Sequence, residues 1–312
     1  MNTATKFAGF ALGLAGVFTI ALATGALLGP DPAEPTAHDT AGHKDTDGHG
    51  EPLGGMLATD RGYTLQLDTT QVTAAANVPL RLRILDRHGA PVTGYVRNHD
   101  KDLHLIVVRG DMVAYQHVHP VLDSEGTWSV PVDLTRAGEY RVFADFVPEG
   151  GEKLTLGAHL RVAGDYDPQP LPQATTTSTV EDYTVTMDGK VAPGQSTRVM
   201  FSVNRGGAPV TDLQPYLGAY GHLVALRAAD LGYLHVHPEG HPGDGVTAAG
   251  PGITFTLTAP SAGDYRLFLD FQHEGVVRTA EFTLTVAPGT PAAGAATQNE
   301  HTGQYGPAGH SH

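Results

Sequence analysis

Short apolar runs broken by Gly, Pro and Asp recur along the middle of the chain. They read Tyr63–Leu67, Leu80–Leu85, Leu103–Val108, Val113–Val118, Thr127–Val132, Tyr140–Phe146 and His159–Val162. Their shortness and their content of β-branched and aromatic residues predict β-strands, and no stretch among them carries a convincing helical period. A corresponding set occupies residues 180 to 287. Some seven strands per set with turn residues between them predict an all-β fold of two tandem immunoglobulin-like antiparallel β-sandwiches.

The two sets are copies. His104, His117 and His119 recur as His222, His235 and His237, each displaced by 118 residues. APVT at 90–93 returns at 208–211, and after a seven-residue insertion AGEYRVFADF (137–146) returns as AGDYRLFLDF (262–271). Apolar positions between the histidines drift (Ile106 against Val224, Val108 against Leu226) while the histidines stay. An ancestral duplication whose histidines are harder to replace than its core accounts for this.

The spacing carries a geometric expectation. If the runs on either side of Gly110-Asp111 form a hairpin with a tight turn centred there, His104 lies directly opposite His117, their Cβ atoms roughly 5 Å apart. His119, two residues along, shares that face. The same reasoning about Ala228-Ala229 sets His222 opposite His235 beside His237. A one-residue slip would scatter the rings onto opposite faces. Three imidazoles on one patch can hold a metal ion at about 2.0–2.1 Å per nitrogen, with neutral rings required. Competition from protons is then expected between roughly pH 7 and 5, around the unperturbed imidazole value. Asp145 and Asp270, matched in FADF and FLDF, are candidates for a fourth ligand or for an acceptor that fixes a histidine tautomer. Otherwise they are strand-edge aspartates, with the matched Arg109 and Arg227 as available partners.

Other histidines belong to one copy only. His88, His99 and His159 in the first, and His241 and His273 in the second, read as exposed surface residues. His38, His43, His49, His301, His310 and His312 lie in segments with no rigid scaffold.

Composition narrows the setting. After Lys6 an uncharged apolar run extends from Phe7 to Leu28, long enough to span a bilayer. Residues 1–29 are read as a transmembrane anchor in preference to a cleaved signal peptide, for which Ala21-Leu22-Ala23 would be the site. Both readings export the chain beyond Gly29. The chain has no cysteine, which excludes disulfides, lipoprotein attachment and cysteine-based metal sites. A net charge of −14 with only 19 Lys and Arg argues against nucleic acid as a partner. The organisation expected is a flexible stalk at 30–52, a sandwich at 53–163, a linker at 164–179, a second sandwich at 180–287 and a tail at 288–312. There is no Gly-x-Ser-x-Gly elbow and no phosphate-cradling loop to suggest nucleophilic or nucleotide chemistry.

With the phrases LQPYLGAYGHLVAL (213–226), YLHVHPEG (233–240) and YRLFLDFQHEGVVRTAEF (265–282), the chain resembles a group of exported proteins of high-GC Gram-positive bacteria. That group has the same anchor, stalk and two sandwich repeats but no established activity, so the resemblance implies architecture and location. A looser resemblance is to extracytoplasmic copper-resistance sandwiches, many of which use methionine ligands. Here Met112 is the only methionine near a triad and Asp230 stands at its matched position, against a cuprous thioether site.

The reading reached is an extracytoplasmic protein with one three-histidine site per repeat for a copper or zinc ion, acting in metal binding, delivery or sensing. Its partners would be the membrane, through the N-terminal segment, and a metal-handling protein. A structural or protein-interaction module with internally satisfied histidines is the alternative, and a mononuclear copper or zinc enzyme the third.

Overall fold

The computed structural model of the protein describes residues 53–234 and 236–288. The apolar segment from Phe7 to Leu28, the stalk, the tail and His235 lie outside the described residues. Among the described residues there is no helix, and the fold is the all-β pair of immunoglobulin-like sandwiches expected. Both belong to one compact unit of the chain.

In the first repeat one sheet runs in the order Thr59–Asp60, Tyr63–Leu67, Ala75–Leu85, Thr127–Leu134, Val121–Leu122. The other runs Gln71–Thr73, Leu154–Ala163, Gly138–Phe146, Leu103–Arg109, Gln116–Val118. Gln71–Thr73 pairs parallel to Leu154–Ala163, and the remaining pairs are antiparallel. In the second repeat Thr177–Val180, Tyr183–Asp188, Ser196–Arg205, Gly252–Thr258 and Val236–Pro238 make one sheet. Tyr233–Leu234, His222–Arg227, Gly263–His273 and Val276–Val286 make the other. The Gly-then-Tyr phrases form matching corners. Tyr140 donates to the Arg136 carbonyl at 2.7 Å and Tyr265 to the Ser261 carbonyl at 2.8 Å, the tyrosine-corner bond of this sandwich type.

The strand Leu103–Arg109 is buried at every position. Alternation along a strand explains it, because both faces are covered. Leu103, Leu105 and Val107 enter the first repeat's core. Ile106 and Val108 point the other way, into a second core shared with Val224, Leu226 and Phe268 of the other repeat. Phe143, Met112 and Tyr233 complete it. The two sandwiches therefore press sheet against sheet, and the ends of Leu103–Arg109 and His222–Arg227 that carry His104 and His222 meet at the margin of that contact.

The segment after the stalk reaches both repeats. Gly54 bridges to Tyr233 of the second repeat, while the Gly55 N–H donates to the Thr155 carbonyl at 2.7 Å. Buried Arg141 donates to the Gly55 and Met56 carbonyls at 2.5 and 2.7 Å. At φ 72° a Cβ on Gly55 would sit 2.2 Å from Phe143 Cδ1, so only glycine fits this passage.

Both hairpins depart from the register expected. Ile106, not His104, lies opposite His117, and Leu105 opposite Val118. The connection is longer than two residues because Met112, at φ 62°, turns its side chain into the shared core, where it is 2% exposed. The shift is by two residues, so the faces are preserved. In the second repeat only Ala225↔Leu234 and Leu226↔Tyr233 pair in the hairpin. The chain then crosses to the other sheet, where Val236–Pro238 pairs with Gly252–Thr258. In the first repeat the crossing waits until Val121–Leu122, after His119.

Candidate metal centre

That difference in crossing decides where the histidines go. The first repeat keeps His104, His117 and His119 together. His104 Nδ1 lies 3.1 Å from His117 Nε2 and 3.2 Å from His119 Nε2. In the second repeat His237 is carried to the outer sheet opposite Thr256 and lines a cleft with Lys153 and Thr155. His222 instead joins the first repeat's group. Its ring stacks on His104 with centroids 5.3 Å apart and planes 7° from parallel, and lies 4.8 Å from the His117 ring. Ring nitrogens of His104, His117 and His222 all come within 4.8 Å of one another. Among the described residues the first repeat's three histidines are thus joined by His222, and His237 stands apart from that group; His235 lies outside the described residues.

The aspartates take unequal parts. Asp145 and Asp270 lie opposite His104 and His222 in the two matched sheets. Each accepts from a threonine on the next strand, Thr155 Oγ1 at 2.8 Å and Thr279 Oγ1 at 2.6 Å. The second oxygen of Asp145 is paired with Lys153 Nζ at 3.2 Å. That of Asp270 accepts from His117 Nδ1 at 2.8 Å, with both side chains almost fully buried, and so links the repeats. Neither aspartate is paired with the matched arginines. Arg109 binds Asp111 with two hydrogen bonds, and Arg227 binds Asp230 in the same way.

Hydrogen placement is set by these partners. His104 Nε2 faces the Asn98 carbonyl at 2.9 Å and must donate to it, which leaves Nδ1 with a bare lone pair. His117 Nδ1 must donate to the Asp270 carboxylate, which leaves its Nε2 bare as well. These two bare nitrogens are the pair 3.1 Å apart. In the metal-free protein His119 Nε2–H can donate to His104 Nδ1, while a metal ion at the junction would engage the His104 and His117 lone pairs together. Two further atoms beside it are buried without a partner, His222 Nε2 and Asn98 Nδ2.

Protonation of the other rings is opposed. Burial, reinforced by the neighbouring His117, pushes His104 down to about 4 and His119 down to about 3. Burial also holds His222 well below the ordinary histidine value. The rings are therefore kept as neutral donors at neutral pH. The same shifts predict acid sensitivity of the metal-free protein. An unfolded chain takes up protons near pH 6.5 that His104 refuses until about pH 4, so stability is full above 6.5 and falls as pH drops through that window. For His104 alone the loss is about 3 kcal/mol. Chemical denaturation at pH 7.5 and 4.5 measures it, and equal midpoints would contradict the burial of neutral rings.

His99 escaped the sequence reading, which took it for a surface residue. It is half-buried beside the cluster, its ring centroid 5.6 Å from that of His222 and 6.1 Å from that of His104. Asn98-His99-Asp100 is a run suited to left-handed backbone, which signals the turn but not what the turn faces.

A family model described as a domain of unknown function (DUF8832) matches the chain twice, over residues 58–164 and 178–288. The chain belongs to the DUF8832 family. Each DUF8832 match covers one sandwich, and the histidine cluster takes residues from both. No curated protein matches the chain. Among solved structures it is similar to the Escherichia coli adhesin FdeC, at 18% identity and a TM-score of 0.24, over 76% of this chain and 66% of that one. Similarity to Yersinia pseudotuberculosis InvD is at 14% identity and a TM-score of 0.24, over 73% of this chain and 58% of that one. The chain spans less than two thirds of either.

Proposed function

We propose that the protein binds one divalent transition-metal ion between its two repeats, held by His104, His117, His119 and His222. The observation that carries this is the pair of bare nitrogens, His104 Nδ1 and His117 Nε2, held 3.1 Å apart by partners that take their protons elsewhere. Imidazoles on one tetrahedral ion at 2.0–2.1 Å stand roughly 3.3 Å from one another, close to the spacing found here. Asp270 serves as the carboxylate that orients a ligating histidine, and Asp145 takes no part in ligation. Donors without sulfur suit Cu²⁺ and Zn²⁺, and the affinity order favours copper where both are present. The role is metal binding, delivery or sensing outside the cytoplasm, with the Phe7–Leu28 segment as membrane anchor and a metal-handling protein as partner.

A second reading has its own support. The His117–Asp270 bond already joins the repeats without a metal. On that reading the histidines hold an interaction module together.

Metal analysis and titration of the full chain with Cu²⁺ and Zn²⁺ separate the two. One tight equivalent per chain is expected, not two, above any weak uptake by the tail histidines. His222→Ala should remove that equivalent although three of its ligands lie in the other repeat. Tight binding that survives His222→Ala would confine the site to the first repeat, and no tight binding in the wild type would leave the interaction module.

A further inference from the structure

We propose that His99 is the exchange ligand of this centre, the imidazole that passes the metal ion between solvent and the buried rings; the inference rests on the metal reading above. The two central rings are closed off, whereas His119 is partly exposed. His104 is 1% exposed and the His117 side chain 2%. His99 is half-exposed at the rim, edge-on to both His104 and His222, and among the described residues its ring makes no hydrogen bond. A ring so placed turns between staggered rotamers on a timescale far faster than metal release. An ion held by buried donors leaves by replacing ligands one at a time, and a free imidazole at the rim supplies the first replacement.

The duplication shows that histidine is not needed for the turn. Asn98 and Lys101 exchange backbone hydrogen bonds, as do Tyr216 and Ala219 at the matched positions. His99 at φ 49° has Leu217 at φ 55° as its twin. Leu217 is buried at 5% exposure, whereas His99 is only half-buried and its ring meets those of His104 and His222. The Asn98 carbonyl on the same turn receives His104 Nε2–H, so the turn that presents His99 also sets the tautomer of a ligand. The two unpartnered buried atoms, Asn98 Nδ2 and His222 Nε2, lie on either side of His99: one on its chain neighbour, the other on the ring it meets edge-on.

The test uses the full chain and two variants, His99→Leu, which carries the twin's residue in the same turn, and His99→Asn, which tolerates left-handed backbone. Protein loaded with Zn²⁺ or Cu²⁺ is mixed with excess chelator in a stopped-flow instrument, and affinity is measured separately by competition. Release and uptake should both slow roughly tenfold in each variant while the affinity stays within a few-fold. Unchanged rates overturn the exchange role. A large loss of affinity with faster release makes His99 a permanent ligand and overturns it too. A wild type that takes up no ion removes the metal reading itself, a result distinct from either.

Discussion

Phe268→Ala is expected to destabilise the protein by about 3–5 kcal/mol, the range for truncating a buried aromatic residue. Phe268 is fully buried and points out of its own sandwich into the core shared by the repeats. Tyr115 of the other repeat stacks on it with ring centroids 3.9 Å apart and planes 3° from parallel, and the Arg266 guanidinium carbon lies 5.2 Å from its centroid. Such aromatic contacts add about 0.5–1.5 kcal/mol beyond the area buried. The loss is read from chemical denaturation of wild type and variant. Because Asp270 lies two residues further on the same face of the strand, metal affinity should fall in Phe268→Ala as well. A change below about 1 kcal/mol, the ordinary effect of a point substitution, would mean that the repeats are not pressed together as described.

His104→Ala should weaken metal binding by at least about 100-fold, the upper end of what losing a supporting hydrogen bond to a ligand does. His104 is the hub, with His117 and His119 nitrogens at 3.1 and 3.2 Å from its Nδ1. Isothermal titration measures the loss, and a variant that binds as the wild type does would take His104 out of the site. The proton competition is also sharpened. Unperturbed rings would cost affinity between roughly pH 7 and 5. With His104 held down to about 4 and His119 to about 3, they compete only in more acidic solution. Between pH 5 and 7 the logarithm of the wild-type affinity should therefore change much less steeply than competition from three unperturbed rings would require.

The sequence made the strands, the duplication and the faces legible. The constant displacement of 118 residues puts His104 and His222 on matched strands, each opposite a matched aspartate. Alternation kept His104, His117 and His119 on one face even though the register moved by two residues. What the chain hid is tertiary. Nothing local shows that the second repeat crosses sheets before Val236 and the first after Pro120, yet that difference separates His237 from His222. The unbroken apolar run from Leu103 to Val108 was the available sign that a second face is covered, and the covering surface is the other repeat. His99 meets His222 only through that contact. Lys153 occupies the Asp145 carboxylate, so that aspartate is not left for a histidine as Asp270 is.

The most direct test is anomalous diffraction from crystals of the full chain loaded with Zn²⁺ or Cu²⁺, recorded on both sides of the metal's absorption edge. One strong peak per chain is expected, within ligand distance of His104 Nδ1, His117 Nε2 and His119 Nε2 and approached by His222 Nε2, with Asp270 still on His117 Nδ1. One peak in each repeat, or no ordered peak between them, would contradict a single shared site.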